Sequence, residues 1–180
     1  MARWIRPTVD PAVVESLTSA LNIPVFVASL LAARGLADAE RADRFLHPSL
    51  SHLHDPYRML GMKAAVERLR RACAQGEKIL IYGDYDVDGT TAVVLLRKAI
   101  EMAGGQADFH LPHRLKDGYG MREEVIERSA GDGVKVIVSV DTGIRAAEVV
   151  ERANQLGIDT IITDHHLPDG RLPPALAVLN

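Results

Sequence analysis

Long apolar runs are missing from this chain: no stretch reaches the roughly 18 apolar residues that a membrane-spanning helix needs. The first residues also lack the apolar core of a secretory signal peptide. Cys73 is the single cysteine in the sequence, which excludes an intrachain disulfide framework. Together these absences predict a cytoplasmic protein with no membrane association.

Basic charge is scarce in the second half of the chain. Residues 1–80 hold 11 Lys/Arg and 8 Asp/Glu, a net +3, whereas residues 81–180 hold 10 and 16, a net −6. Proteins that bind nucleic acids usually carry a basic face. The acidic half therefore either avoids polyanions or carries cations, and two divalent ions would offset about four of its negative charges.

Glycine-rich phosphate-binding motifs are absent too: neither a Gly-x-Gly-x-x-Gly nor a Walker A pattern occurs, so no motif supports a nucleotide cofactor. The chain does contain two kinds of hydrophobic pattern. Apolar residues recur at helical spacing in residues 11–21, 24–31, 38–46 and 61–76. Short apolar strands then alternate with helices, with strands predicted at 78–83, 107–111, 134–140, 159–163 and 175–179 and helices at 90–103, 122–130 and 144–156.

This alternation predicts an α/β fold, a parallel Rossmann-like sheet flanked by helices, with a helical N-terminal leader. We place the leader at residues 1–57 and the sheet domain at residues 58–180. In such sheets ligands bind outside the carboxyl ends of the strands. Ionisable residues follow four of the predicted strands at that end: Asp84, Asp86 and Asp88; His113 and Arg114; Asp141; and Asp164, His165 and His166.

Asp84, Asp86 and Asp88 are spaced by two, so extended backbone would place their side chains on one side. Carboxylates about 6 Å apart repel by roughly 3 kcal/mol per pair at an effective dielectric of about 20. Such crowding requires protonation, solvent exposure or a bound cation, and an exposed turn that caps the next helix is the alternative. An EF-hand calcium loop is disfavoured because Leu95 occupies the twelfth position, where that loop needs a glutamate.

Asp141, His165 and His166 extend the set of candidate metal ligands. Asp141 alone would also suit a simple turn, since Asp-Thr-Gly is a common turn sequence. Carboxylate with imidazole suits Mn²⁺, Zn²⁺ or Fe²⁺, whereas carboxylate-rich sites favour Mn²⁺ or Mg²⁺. Because consecutive side chains point in different directions, we expect one histidine to bind metal and the other to face substrate.

Four ordered motifs resemble the DHH phosphoesterase superfamily, and their order is similar to that of its RecJ-type exonucleases. They are Gly83-Asp-Tyr-Asp-Val-Asp-Gly-Thr90, Pro112-His-Arg-Leu-Lys-Asp-Gly-Tyr-Gly120, Val140-Asp-Thr-Gly-Ile144 and Ile162-Thr-Asp-His-His-Leu-Pro168. The resemblance covers roughly residues 60–180. It implies two Mn²⁺ or Mg²⁺ ions and hydrolysis of phosphodiester bonds.

The resemblance also implies roles for individual residues. Asp86 and Asp88 would bind different metals, Asp141 would bridge them, and His165 would complete one site. His166 would be a further metal ligand or contact the scissile phosphate. Asp84 would be an added metal ligand or would support the other ligands. His113 and Arg114 would lie on the phosphate side, and Tyr119 would stack on a base. Tyr82 stands where the superfamily often has a histidine ligand.

The function implied by the resemblance is 5′→3′ exonuclease action on single-stranded DNA in repair and recombination. Single-stranded DNA and other repair proteins are the implied partners, and a monomer is favoured. Two alternatives stay open: a phosphodiesterase for short oligonucleotides, cyclic dinucleotides or pyrophosphate, and a non-catalytic metal-binding module. The superfamily's fourth motif and second domain are not found in the sequence, so we expect a fragment with weak or absent activity.

Overall fold

The computed structural model describes residues 7–113, 115 and 118–180. The chain divides into two units, residues up to Asp55 and Pro56–Asn180. Within the described part of the chain, no helix combines the length and apolar character needed to cross a membrane.

The first unit consists of three helices, α1 (Pro11–Leu21), α2 (Val25–Ala33) and α3 (Ala39–Leu46), followed by a short 3₁₀ turn at Leu50–His52. Aspartates begin two of these helices, because their carboxylates accept hydrogen bonds from backbone N–H groups of the first turn, Asp10 from Ala12 and Asp38 from Arg41, each at 2.9 Å. The three helices bury a small apolar core made of Val14, Leu17, Ala28, Leu31 and Ala42.

The second unit alternates helices and strands. After a 3₁₀ turn at Pro56–Arg58, its elements are α4 (Met62–Gln75), β1 (Lys78–Tyr82), α5 (Val87–Met102), β2 (Ala107–His110), α6 (Glu123–Gly131), β3 (Val134–Val140), α7 (Ala147–Gln155), β4 (Asp159–Thr163) and β5 (Ala177–Leu179). The strands pair in parallel in the order β2-β1-β3-β4-β5. The predicted parallel, Rossmann-like sheet flanked by helices is therefore confirmed.

Helices cover both faces of this sheet, which explains its nearly continuous apolar strands. Ile79 and Ile81 pack on one face against α4 and α5, while Leu80 and Tyr82 pack on the other face against α6 and α7. The chain passes from β1 outward to β2 and then returns to the other side of β1 with β3. The strand order thus reverses between β1 and β3, and ligands of open α/β sheets bind at the carboxyl ends of such strands.

Two helices of the second unit begin three residues away from their predicted starts. Helix α5 begins at Val87 rather than at residue 90, because the Asp86 carboxylate accepts a hydrogen bond from the Gly89 N–H at 3.0 Å and caps the helix. Asp88 consequently lies in the first helical turn, and the prediction that Asp84, Asp86 and Asp88 share one side of an extended segment is wrong. Helix α7 begins at Ala147, three residues later than predicted.

A buried arginine ties α4 to the amino-terminal edge of the sheet. The Arg68 side chain is 5% exposed and forms ion pairs with Glu77 just before β1, at 2.6 Å, and with Asp159 at the start of β4. Arg71 approaches the same Asp159 carboxylate at 3.6 Å from a position that is 56% exposed. Because a buried charge is stable only when it is paired, Arg68 fixes where α4 sits on the sheet.

Replacing Arg68 with alanine should lower the free energy of unfolding by about 3 kcal/mol, the low end for breaking a buried ion pair, since the Asp159 side chain is 41% exposed. Arg71→Ala is the matched control and should cost less than about 1 kcal/mol, as for an exposed pair. Urea denaturation of both variants measures the difference. Equal losses in the two variants would contradict the role given to Arg68.

Candidate metal centre

Two aspartates occupy the turn between β1 and α5. Asp84 is almost completely buried, whereas Asp86 is exposed and begins α5. The Asp84 Oδ1 atom is buried and accepts no hydrogen bond from the described residues. A buried carboxylate oxygen without a partner is costly, so this atom is placed for a positive ligand.

Gly89 allows this turn to close. A Cβ atom at Gly89 would lie 2.5–2.7 Å from the backbone N, C and O atoms of Asp84, which is closer than real contacts allow. Any larger residue would push the start of α5 away from Asp84. Because Gly89 has no side chain, the start of α5 can approach the Asp84 backbone, and the two aspartates of this turn stay close together.

Asp141 follows β3, beside the β1 turn. Its backbone adopts φ 61°, a left-handed conformation that is uncommon outside glycine and that aspartate tolerates better than most residues. The Asp141 N–H still donates to the Thr163 carbonyl at 2.9 Å, so the conformation changes directly after the last sheet contact. Such local strain is typical of functional sites, where neighbouring structure maintains it.

The Asp141 carboxylate is also nearly buried, with 6% of its side chain exposed. Its Oδ1 atom lies 3.0 Å from the His165 Nε2 atom, and its Oδ2 atom is buried and accepts no hydrogen bond that meets normal geometry within the described chain. Two adjacent ligands of an octahedral ion with bonds of about 2.1 Å are about 3.0 Å apart. Asp141 and His165 therefore have the separation of two ligands of one cation.

Asp164 organises the turn that carries both histidines. Its Oδ1 atom accepts hydrogen bonds from the N–H groups of His165 and His166, at 2.7 and 3.1 Å, and contacts His166 Nδ1 at 2.7 Å. Its Oδ2 atom accepts the Ile144 N–H at 3.0 Å. Three of these four contacts fall on Oδ1 and one on Oδ2, and together they fix the turn that carries His165 and His166.

Two clusters of possible ligands result, and they share Asp141. Asp84, Asp86 and Asp141 form one cluster, and Asp141, His165 and His166 form the other, with the ligand atoms of each cluster within 4.8 Å of one another. The first offers only oxygen and the second oxygen with imidazole nitrogen. This donor set suits Mn²⁺, and the all-oxygen cluster also suits Mg²⁺.

The carboxylates of Asp86 and Asp141 perturb each other. Burial raises the pKa of Asp141, and the neighbouring Asp86 carboxylate raises it further. The pKa of Asp86 is lowered, chiefly by the hydrogen bond from the Gly89 N–H. Asp86 thus loses its proton more readily than a free aspartate and Asp141 less readily, and a divalent cation would relieve the same repulsion.

The remaining predicted site residues are Asp88, His113 and Arg114. Asp88 is not part of either cluster but lines a cleft of about 260 Å³ together with Asp141 and His165. His113 is exposed, its Nδ1 atom accepts a hydrogen bond from the Leu115 N–H at 3.3 Å, and it belongs to neither cluster. Arg114 lies outside the described residues.

Sequence reasoning placed Asp164 at the sheet edge with the two histidines but gave it no role of its own, and it gave Gly89 none. The Asp164 side chain accepts hydrogen bonds from the N–H groups of the next two residues, which is an Asx-type turn. An aspartate directly after a strand is a sequence signal for such a turn. The contact with Ile144, which fixes Asp164 to the β3 side, joins residues 20 positions apart and has no local signal. For Gly89, the Asp-Gly pair at the start of a helix indicated a tight turn but not its contact with Asp84.

Gly89→Ala should weaken Mn²⁺ binding by at least about tenfold, because the new methyl group separates Asp84 from Asp86 and distorts one cluster. Gly131→Ala is the matched control, since a Cβ atom there meets nothing within 4 Å. Isothermal titration with Mn²⁺ compares the two. Unchanged affinity in Gly89→Ala would show that the cluster does not bind the ion.

The Asp164–His166 pair should make the metal-free chain's stability depend on pH. The hydrogen bond to Asp164 raises the pKa of His166 above 6.5, so its stabilisation is complete below 6.5 and disappears as pH rises through the raised value. Burial would raise the pKa of Asp164, but hydrogen bonds from Ile144, His166 and His165 outweigh it and lower the value below 3.8. The pair therefore contributes most between pH 3.8 and 6.5.

Urea denaturation in the presence of a chelator, from pH 5 to pH 8.5, tests this dependence. The loss of stability as the pH rises above 6.5 should shrink in His166→Gln. His47→Gln is the control, since His47 pairs with Asp43 in the helical unit at a largely exposed position. An identical pH profile for the wild type and His166→Gln would contradict the assignment.

Known proteins resemble this chain in sequence. It is 43% identical over 178 residues to the single-stranded-DNA-specific exonuclease RecJ of Bacillus subtilis and 38% identical over 161 residues to that of Escherichia coli. These matches cover 99% and 88% of the chain, but only 23% and 27% of the two relatives. The chain thus spans about a quarter of the length of these curated relatives.

Solved structures of RecJ proteins also resemble this chain. The structure of RecJ in complex with Mn²⁺ from Thermus thermophilus matches 96% of this chain and 24% of its own, with a TM-score of 0.77 and 26% identity. A structure of exonuclease RecJ bound to manganese matches 67% of this chain and 31% of its own, with a TM-score of 0.63 and 32% identity. The resemblance found from the four motifs is confirmed. The model of the DHH family, N-terminal domain, matches residues 78–180, and the chain belongs to that family.

Proposed function

We propose that this chain provides the metal-binding part of a 5′→3′ single-stranded-DNA exonuclease that hydrolyses phosphodiester bonds in DNA repair and recombination. The observation that carries the proposal is the sharing of Asp141 by two clusters of ligands at the carboxyl ends of β1, β3 and β4. The relatives described above are named single-stranded-DNA-specific exonucleases, which supports the choice of substrate.

Two ions, Mn²⁺ or Mg²⁺, are the cofactors in this proposal. Asp84, Asp86 and Asp141 would hold one ion, and Asp141, His165 and His166 the other. Asp88 lines the cleft next to His165 and would join the second set. When bound, such a pair of ions generates a nucleophile from water near neutral pH and stabilises the charge that develops on the phosphate.

The protein's own groups orient the reaction. Asp141 would offer its carboxylate to either cation, since it belongs to both clusters, and the left-handed backbone at the end of β3 positions that carboxylate. His166 is anchored through Nδ1 by Asp164, so Nε2 would be the atom that meets the second ion or the scissile phosphate. His113 and Arg114 would contact the phosphate, with Arg114 suited to a bidentate contact.

A cavity next to the clusters would hold the nucleotide beside the scissile phosphate. It has a volume of about 600 Å³ and is bordered by Tyr119, Thr142, Ile144 and Arg145. The Tyr119 ring is half exposed and offers an aromatic face to a base. Stacking recognises any base, so this surface would bind single strands without strong sequence preference.

We also propose a cytoplasmic location, a monomeric state and a boundary near residue 57 between the helical leader and the phosphoesterase domain. The division of the chain into units at Asp55 and Pro56 supports that boundary. The family match begins at residue 78, inside the second unit. Other repair proteins are further partners in this proposal.

Hydrolysis assays on the complete protein test the proposal. With Mn²⁺, long single-stranded DNA should be degraded from its 5′ end much faster than dinucleotides, cyclic dinucleotides or pyrophosphate. Asp141→Asn should lose more than the roughly 100-fold that removal of a residue supporting a metal ligand costs, because Asp141 serves both clusters. Asp108→Asn, at an exposed position on β2, is the matched control and should retain full activity.

Each alternative predicts a different result in these assays. Preference for cyclic dinucleotides or pyrophosphate would replace the exonuclease with a small-substrate phosphodiesterase. Tight Mn²⁺ binding without hydrolysis of any substrate would indicate a non-catalytic metal-binding module. Unchanged activity in Asp141→Asn would reject the shared-metal site itself.

A further inference from the structure

Tyr82 makes a contact that none of the candidate ligands makes. It is the last residue of β1, its side chain is completely buried, and it packs on the sheet face covered by α6 and α7. The hydroxyl group donates a hydrogen bond to the Gly120 carbonyl at 3.2 Å, and the ring lies 4.9 Å from the His110 ring. A buried phenol thus connects the sheet to the segment at residues 118–120.

This segment is attached to the core on its inner side. Gly118 and Gly120 adopt φ 73° and 100°, left-handed conformations that favour glycine, and Tyr119 lies between them. Met121, the next residue, is buried in the same apolar cluster as Tyr82. The Gly120 carbonyl and the Met121 side chain therefore hold the segment at two adjacent points.

Tyr119 connects the segment to the metal centre. Its hydroxyl lies 3.2 Å from His166 Nδ1, and the two rings meet edge-on with centroids 5.5 Å apart. His166 Nδ1 also contacts Asp164 Oδ1 at 2.7 Å. Within the described chain both contacts are to Nδ1, so Nε2 is the nitrogen that a cation or a phosphate can reach.

We propose that Tyr82 is a positioning residue that fixes the 118–120 segment and, through Tyr119, the orientation of the His166 ring. The sheet core thereby acts together with Asp164 on the Nδ1 side of the His166 ring. This inference rests on the proposed function only in taking His166 as a group that meets metal or phosphate. Tyr82 stands where a histidine ligand is expected from the superfamily pattern, and it replaces direct binding with support of another ligand.

The test is an NMR measurement of the His166 ring in the metal-free 180-residue chain. Long-range ¹H–¹⁵N spectra report the tautomer and environment of each imidazole, and His166→Gln identifies the His166 signals by their loss. Tyr82→Phe removes only the hydroxyl and keeps the ring in the core. We expect Tyr82→Phe to shift the His166 ring signals, Tyr119→Phe to shift them at least as far, and the double variant to add nothing to Tyr119→Phe alone.

Ser129→Ala is the matched control. Ser129 is buried in the same layer and its hydroxyl donates to the Val125 carbonyl at 2.7 Å, so this variant loses a comparable hydrogen bond without touching residues 118–120. It should leave the His166 signals in place. The same His166 spectrum in Tyr82→Phe and Ser129→Ala, or additive shifts in the double variant, would overturn the proposal.

The test gives a clear result even if Tyr82→Phe fails to fold, and it does not depend on nuclease activity. Tyr119 is 48% exposed, so Tyr119→Phe should fold even if Tyr82→Phe does not, and unmoved His166 signals in Tyr119→Phe would also reject the proposal. The measurement uses neither metal nor DNA. A failure of the proposed nuclease activity therefore leaves it unaffected, and its failure leaves the nuclease assays standing.

Discussion

Repulsion between carboxylates is the constraint on which the rest of this structure depends. Asp84, Asp86 and Asp141 meet at the sheet edge with ligand atoms within 4.8 Å of one another, and two of the three are nearly buried. At such separations, and away from solvent, three negative charges are unstable without compensation. Burial and the neighbouring Asp86 carboxylate raise the pKa of Asp141, so its ionised form is less favourable there than in water.

The fold maintains this arrangement through backbone contacts rather than through more charges. The reversal of strand order between β1 and β3 brings the two aspartate-bearing turns side by side. Gly89 lets one turn close, and the left-handed conformation of Asp141 follows the last sheet contact of the other. Asp164 then ties the histidine turn after β4 to Ile144 after β3. Together these contacts bring side by side groups that would otherwise repel or diverge.

Much of the fold was predictable because its strands are unambiguous. Strands β3 and β4 begin and end at the predicted residues, since runs of β-branched residues bounded by glycine and aspartate allow few alternatives. The start of α5 was not predicted, because Asp86 was taken for part of an extended segment although it caps the helix. The alternative of an acidic turn that caps the next helix proved correct for Asp86, and this role is compatible with a place in a ligand cluster.

The site was predictable only as far as general topology allows. The rule that strand ends meet at one edge placed Asp141 near the first turn and near His165. It gave no information about Asp164 or Tyr82, whose contacts with Ile144 and Gly120 join residues 20 and 38 positions apart. Contacts between residues so far apart in the sequence leave no local pattern, and only the three-dimensional structure identifies them.

Anomalous X-ray scattering from crystals grown with Mn²⁺ tests the central claim most directly. Two manganese peaks about 3.5–4 Å apart, one on each side of the Asp141 carboxylate, are the predicted result. One peak should lie next to Asp84 and Asp86 and the other next to His165. Peaks remote from Asp141, or a single peak that leaves one cluster without an ion, would contradict a shared two-metal centre.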